Sequence, residues 1–381
     1  MAIFSQYENK NGTKYWQVKA YLGIDELTGK QVLARKKGFL TKRAATVYLD
    51  EQKAKFNQNG TLKKTKMLFE EVYELWLQNY RLTVKESSYV KLLGKFRVHI
   101  LPVFGAMMIK DITTNQIQLF VNDLSTKLVS FKEYAYNLSR VLDFAVKQGL
   151  LVSNPAINII MPKCSVESVE RGKKFYSISQ QKKLLAYAEE NETIEIFAFF
   201  QLLVTTGCRE GELLGLFWDD VDFDKGMIRI RRTLTRGINR RLYLGKPKTK
   251  NSWRIVELTK KTANVLIRWQ SIQKNILEKN NLKFQNEEQL IFSNSENSFT
   301  ELTHPRLWLM RINKRAGLPM LSPHALRHSF VSTLVNNGVD PHSVSKLLGH
   351  ASVATTLDIY ADIFQEKQME ASRIVERSLE Q

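Results

Sequence analysis

The sequence predicts an α+β multidomain protein: a small β-sheet-plus-helix N-terminal domain, an all-α middle domain, and a mainly α C-terminal domain with a small antiparallel sheet. Three observations carry this expectation. At 381 residues the chain is longer than one hydrophobic core usually organises, so two or three domains are expected. Hydrophobicity alternates with period two near the N-terminus and switches to a helical period at Met67. Strand-like segments return only between Met227 and Leu258, within an otherwise helical stretch.

Lys14-Tyr-Trp-Gln-Val-Lys-Ala-Tyr21 alternates as a strand, a turn is expected at residues 25–29, and residues 31–39 resume the alternation. A helix from Thr41 to about Phe56 completes a domain spanning residues 1–62. Between Met1 and Lys66 there are 14 Lys and Arg against 5 Asp and Glu, so 14 − 5 = +9 of the chain's net +19 sits on this small module. A basic sheet interleaved with Tyr15, Trp16 and Tyr21 suits a nucleic-acid surface better than a merely soluble extension. Lys14, Trp16, Lys19, Arg35, Lys36 and Lys37 are its candidate DNA-binding residues.

Lys63-Lys-Thr-Lys66 reads as a charged linker. Beyond it, Phe69, Val72, Tyr73, Trp76 and Tyr80 mark one apolar helical stripe, which is core and not a cofactor site. Further helices are expected over 88–99, 114–124 and 131–148, with Pro102 and Phe104-Gly105 breaking the pattern after the second. These bound an all-α domain at 66–155. Pro155, Pro162 and the polar, basic run 167–174 place an interdomain linker at 156–175, a hinge suited to wrapping a duplex.

The remaining domain, 176–381, opens with a helix over 179–190 and the apolar run 194–205. Segments 227–233, 240–244 and 253–258, with turns at Asp224-Lys-Gly226 and Lys246-Pro-Lys248-Thr, read as one small antiparallel sheet. Helices over 259–277 and 305–316 follow. Ser322 is the expected N-cap and Pro323 the first residue of a helix carrying His324 and Arg327 three apart on one face, where both could point at one phosphate. Gly349 is expected to stop a second helix, and Ser352 to cap a third ending near Tyr360. The tail 361–381 reads as an amphipathic helix, lying on its own domain or docked on a neighbouring protomer.

A net charge of +19 and a pI near 9.7 call for a polyanionic partner, nucleic acid before a membrane surface. The most apolar run, 194–204, is interrupted by Glu195 and Gln201 and is too short to span a bilayer. The N-terminus lacks the regions of a signal peptide. Cys164 and Cys208 give neither a disulfide framework nor a structural zinc site. A soluble intracellular protein with reduced thiols is expected.

Taken singly, the C-terminal motifs have ordinary readings. His324-Ala-Leu-Arg327-His328 is a surface helix pair, Leu348-Gly349-His350 a helix C-cap, and Tyr360 of Thr356-Leu-Asp-Ile-Tyr360 a half-buried aromatic. In Thr206-Gly-Cys-Arg209-Glu-Gly-Glu-Leu, Arg209 opens a helix, where the macrodipole disfavours a cation unless an anion is near. That anion is either a phosphate or the carboxylate of Glu210 or Glu212. The order and spacing of these motifs change the balance: together they resemble the signature of the tyrosine recombinases, the phage-integrase family. The resemblance covers nearly the whole chain. Residues 1–62 resemble the family's arm-type DNA-binding domain. Residues 66–155, with Ile100-Leu-Pro-Val-Phe-Gly105 and the ending at Asn154-Pro155, resemble its core-binding domain, and 176–381 its catalytic domain. Lys248, in a Lys-Thr context, matches the family's turn lysine, with Lys246 and Lys250 as alternates; a turn lysine is otherwise usually only solvated.

The resemblance implies cleavage and religation of DNA. Arg209 and Arg327 would bind the non-bridging phosphate oxygens through planar forks. Tyr360 would attack phosphorus, with His324 taking its proton, Lys248 protonating the 5′ oxygen and His350 hydrogen-bonding the phosphate. A 3′-phosphotyrosyl bond keeps the energy of the broken one, so no cofactor is expected, and the set includes no carboxylate cluster for a metal. Implied partners are double-stranded DNA at core and arm sites, a homotetramer on that DNA, and an accessory DNA-bending or excision factor, with no membrane. The implied setting is the cytoplasm of a bacterial host, at the nucleoid, and the implied role is integration and excision of a phage or mobile element. A topoisomerase-like DNA relaxer of type IB shares the chemistry but does not need a separate basic N-terminal module. A catalytically silent DNA-binding regulator would not need every catalytic position filled.

Overall fold

Three strands, β1 (Ala2–Glu8), β2 (Lys14–Ile24) and β3 (Gln31–Phe39), pair antiparallel in the order β1-β2-β3. Period two puts Val18 and Ala20 of β2 on one face, and the register sets Phe4 opposite Val18 and Ala34 opposite Ala20. Helix α1 (Lys42–Asn59) closes that face with Ala45 and Leu49. Thr41 is its N-cap rather than its first turn: the hydroxyl accepts the Ala44 N–H at 3.1 Å. The computed structural model describes residues 2–9, 12–24, 31–59, 67–165, 175–245, 253–285, 288–349 and positions 376, 378 and 379. The chain divides into two compact units, Met1–Ser168 and Val169–Gln381.

In the first unit a second core follows the sheet. It is built by α2 (Phe69–Thr83), α3 (Glu86–Lys95), α4 (Leu101–Phe104), α5 (Thr114–Lys127) and α6 (Phe131–Lys147) around Phe69, Phe96, Ile100, Phe104 and Leu138. Pro102 does not break the helix as expected. The chain passes from α3 into α4 through a π turn at Phe96–Ile100. That wider turn precedes the proline, which enters within the first turn of the resumed helix, where a missing N–H costs little. Residues 154–165 run back along α5 and α6. Asn154 bonds Ser139 and Asp143, Gln118 exchanges two bonds with the Ile160 backbone, and the Ser165 N–H reaches the Ser125 carbonyl.

The second unit is organised on α8 (Ile194–Thr206), apolar on nearly every side and therefore central. Around it pack α7 (Ile178–Asn191), α10 (Lys260–Lys279) and α12 (Pro323–Asn336). The short α9 (Glu210–Leu214), α11 (His304–Ala316) and α13 (Pro341–Leu348) are the other named α-helices among its described residues. The single small sheet expected here is two. Strands β4 (Val221–Asp222), β5 (Met227–Ile230) and β8 (Arg254–Glu257) form one, and β6 (Thr233–Arg236) with β7 (Leu242–Gly245) the other. The expected continuous strand over 227–233 splits at Arg231 and Arg232, both drawn onto the fully buried Asp220 carboxylate at 2.5 and 3.2 Å. An unpaired buried carboxylate would be costly, so the chain leaves one ladder to satisfy it. Strands β7 and β8 belong to different sheets, and residues 246–252 between them lie outside the described residues. No helix among the described residues is long and apolar enough to cross a membrane.

Candidate active site

The site grows from the end of α8. Gly207 stops that helix in the left-handed conformation, φ 60°, and a Cβ there would lie 2.5 Å from the Phe330 ring. Glycine is required twice over, by backbone and by packing. The turn delivers Arg209 to the N-cap of α9. Three residues on, Glu212 folds back: its carboxylate accepts the Arg209 N–H and the Arg209 Nη1, each at 2.9 Å. Arg209 remains about two-fifths exposed, facing a groove of about 280 Å³ that Glu210, Thr233, Leu302 and His324 also line.

His324 and Arg327 come from the first turns of α12, whose N-cap position Ser322 takes without a capping bond. They do not point the same way. His324 lines the groove with part of its surface open to solvent and the rest packed, edge-on to His328 with ring centroids 4.6 Å apart. Arg327 is 2 % exposed and donates through Nη1 to the Gly207 carbonyl at 2.7 Å and through Nη2 to the Leu348 carbonyl at 2.9 Å. Those carbonyls lie at the C-terminal ends of α8 and α13, where unpaired acceptors and the negative dipole end favour a cation. One guanidinium thus ties the Arg209 turn, α12 and the end of α13 together.

The electrostatics follow from burial. Desolvation, then the charges of His328, Arg327 and Arg209, push the His324 imidazole down to about 4, so it is neutral at pH 7. Desolvation and the Arg209 charge lower Arg327 to about 9, still protonated. Burial alone would raise Glu212, but hydrogen bonds and charge from Arg254, then Arg209, pull it down to about 2. The buried Cys208 thiol is pushed up and stays protonated. Glu210, raised by burial, faces Arg306. The site is therefore a neutral base beside two arginines.

Glu212 was an alternative partner of Arg209 in the sequence, and it is the partner found. Arg254 was not anticipated. Its signal was strand alternation: in Arg254-Ile-Val-Glu257 it is in phase with buried Val256, while Ile255 is exposed. Lys246, Lys248, Lys250, His350, Ser352, Tyr360 and most of the tail lie outside the described residues. Gly349 does end α13 in the left-handed conformation.

The N-terminal sheet divides the other candidates between its faces. Lys19, Arg35 and Lys37 share the face turned away from α1, with Tyr7, Tyr15 and Tyr21. Trp16 and Lys36 belong to the helix-covered face: Trp16 packs against the core under the Lys42 ammonium, and Lys36 lies over the Phe39 and Tyr48 rings. Lys14 is exposed at the start of β2, in phase with Trp16.

Comparison with known proteins agrees with this architecture. Residues 174–367 match the phage integrase family, 68–125 its N-terminal SAM-like domain, and 4–56 an arm DNA-binding domain. A tyrosine recombinase XerC-like protein of Caldanaerobacter subterraneus subsp. tengcongensis is 30% identical over 95% of this chain and 96% of its own. The ICEBs1 integrase of Bacillus subtilis is 25% identical over 93% and 95%. The fold is similar to that of the Tn1549 transposon integrase in complex with transposon right end DNA (TM-score 0.64, 18% identity, 80% of this chain and 100% of that one). It is also similar to that of a lambda integrase dimer bound to a core site (TM-score 0.56, 17% identity, 93% of each). The chain belongs to the phage integrase family, the tyrosine recombinases.

Proposed function

We propose that this recombinase cuts and rejoins DNA at a specific core site through a 3′-phosphotyrosyl intermediate, integrating and excising a phage or other mobile element. The observation that carries this reading is the convergence of Arg209, His324 and Arg327 from two separate elements at the Gly207 turn. Arg209 presents a partly exposed fork to the scissile phosphate, and Arg327, held by the Gly207 and Leu348 carbonyls behind it, adds a second positive charge. His324, neutral at pH 7, takes the proton of Tyr360; Lys248 protonates the leaving 5′ oxygen, and His350 hydrogen-bonds the phosphate. The remaining work is divided among domains at 1–62, 66–155 and 176–381, the first binding arm sequences and the second embracing the core site, with four protomers joined for strand exchange. An accessory DNA-bending or excision factor would set direction.

A nicked core-site duplex tests the chemistry, because the short strand diffuses away after cleavage and traps the intermediate. Wild type should give a protein band shifted by covalent DNA, and Tyr360→Phe should bind the site and give none. A band from Tyr360→Phe would show that another side chain is the nucleophile.

A further inference from the structure

Arg254 contributes a buried charge that the mechanism above does not use. It opens β8, is 5 % exposed, and donates Nη1 and Nη2 to the two Glu212 oxygens at 3.2 and 2.8 Å. Its Nη2 also lies 3.3 Å from the Cys208 sulfur. Glu212 therefore receives two guanidinium groups, one buried and one facing the groove.

We propose that Arg254 is a positioning residue for cleavage: it neutralises Glu212, so that this carboxylate can orient Arg209 without cancelling the charge Arg209 offers to DNA. This rests on the reading of Arg209 as a phosphate ligand. The charge count makes the need plain. Glu212 alone would offset Arg209, leaving Arg327 as the net cation; with Arg254 present, three arginines against one carboxylate leave a net +2. The other groups facing Glu212 do not change that count. Cys208 is a protonated thiol, His324 at the groove is neutral, and the groove carboxylate Glu210 is offset by Arg306. Both Nη atoms of Arg254 are taken by Glu212 and the Cys208 sulfur, so its effect passes through Glu212.

The test measures covalent-complex formation on the nicked duplex by wild type, Arg254→Met, Glu212→Gln/Arg254→Met and, as a control, Arg209→Lys, with site affinity measured alongside. Arg254→Met should cleave about 100-fold more slowly at unchanged affinity, a loss of the size seen when one preorganised charge is removed. The double variant restores the charge balance and should cleave within about tenfold of wild type. The pH profile separates this from a structural role. Without Arg254, Glu212 loses its main stabilising partner and its pKa rises, so Arg254→Met should recover relative to wild type as pH falls from about 8 to about 5. The double variant should show no such recovery. It also buries no unpaired charge, so it keeps the test readable if Arg254→Met does not fold. A double variant as slow as Arg209→Lys, or an Arg254→Met with wild-type cleavage, overturns the proposal. Wild-type cleavage by Arg209→Lys would instead overturn the reading of the site.

Discussion

At the scale of single residues, Arg209 and Arg327 are unlike. Lysine at either position keeps the charge and loses the fork, so both Lys variants should cleave at least about 100-fold more slowly. Their stabilities should diverge. Arg209 is half-exposed and held by one carboxylate, so Arg209→Lys should melt close to wild type. Arg327 spans two buried carbonyls that one ammonium cannot reach together, so Arg327→Lys should cost about 1–3 kcal/mol. Thermal unfolding of the two variants checks this. His324 makes a pH prediction. Its pKa is lowered from 6.5 to about 4, so between those values the unfolded chain binds more protons than the folded one, and stability falls as pH drops through that window. His324→Gln should flatten the dependence of melting temperature on pH there, modestly because the ring is part-exposed, and should abolish the base function at neutral pH. An unchanged slope would mean the imidazole titrates normally.

At the scale of elements, the junction between α8 and α9 sets the site. Gly207 permits the left-handed turn, leaves room for Phe330, and gives its carbonyl to Arg327. Gly207→Ala should destabilise by about 2–4 kcal/mol, the sum of a strained φ and an overpacked contact. It should also slow cleavage beyond what the lost stability explains, because Arg209 is two residues away. Phe330→Leu in the same chain should recover part of the stability and leave the backbone strain. Full recovery would show that the left-handed conformation is not demanded.

At the scale of the whole molecule, the N-terminal sheet offers a prediction about which basic residues meet DNA. Lys19, Arg35 and Lys37 share the face turned away from α1, whereas Lys36 is stacked over two rings on the other. Replacing Lys19, Arg35 and Lys37 together with Gln should lower the salt dependence of arm-site binding by about 3 in log–log slope, at roughly 0.9 for each phosphate no longer neutralised. Replacing Lys14 and Lys36 should change it less. Deleting residues 1–62 should spare cleavage of the core site and abolish integration of a whole element. Integration at the wild-type rate after either change would reduce this module to a nonspecific basic anchor.

The sequence by itself determined the class of fold through local pattern, and the order and spacing of its motifs carried the resemblance that implied the chemistry. Period two at Lys14–Ile24 and period 3.6 at Phe69–Thr83 report which faces are buried, and Gly349 marks a helix end through its positive φ. His324 and Arg327 were legible because three residues of helix fix their spacing. The tertiary structure decided what depends on partners distant in sequence. Helical spacing gave no sign that Arg327 turns inward, since its acceptors are carbonyls 120 and 21 residues away. The single expected sheet became two because Asp220 claims two arginines eleven and twelve residues on. Arg254 became part of the site only when Glu212, 42 residues earlier, met it in the core. A buried charge must find its counter-charge wherever the fold brings one, and local pattern carries no record of that meeting.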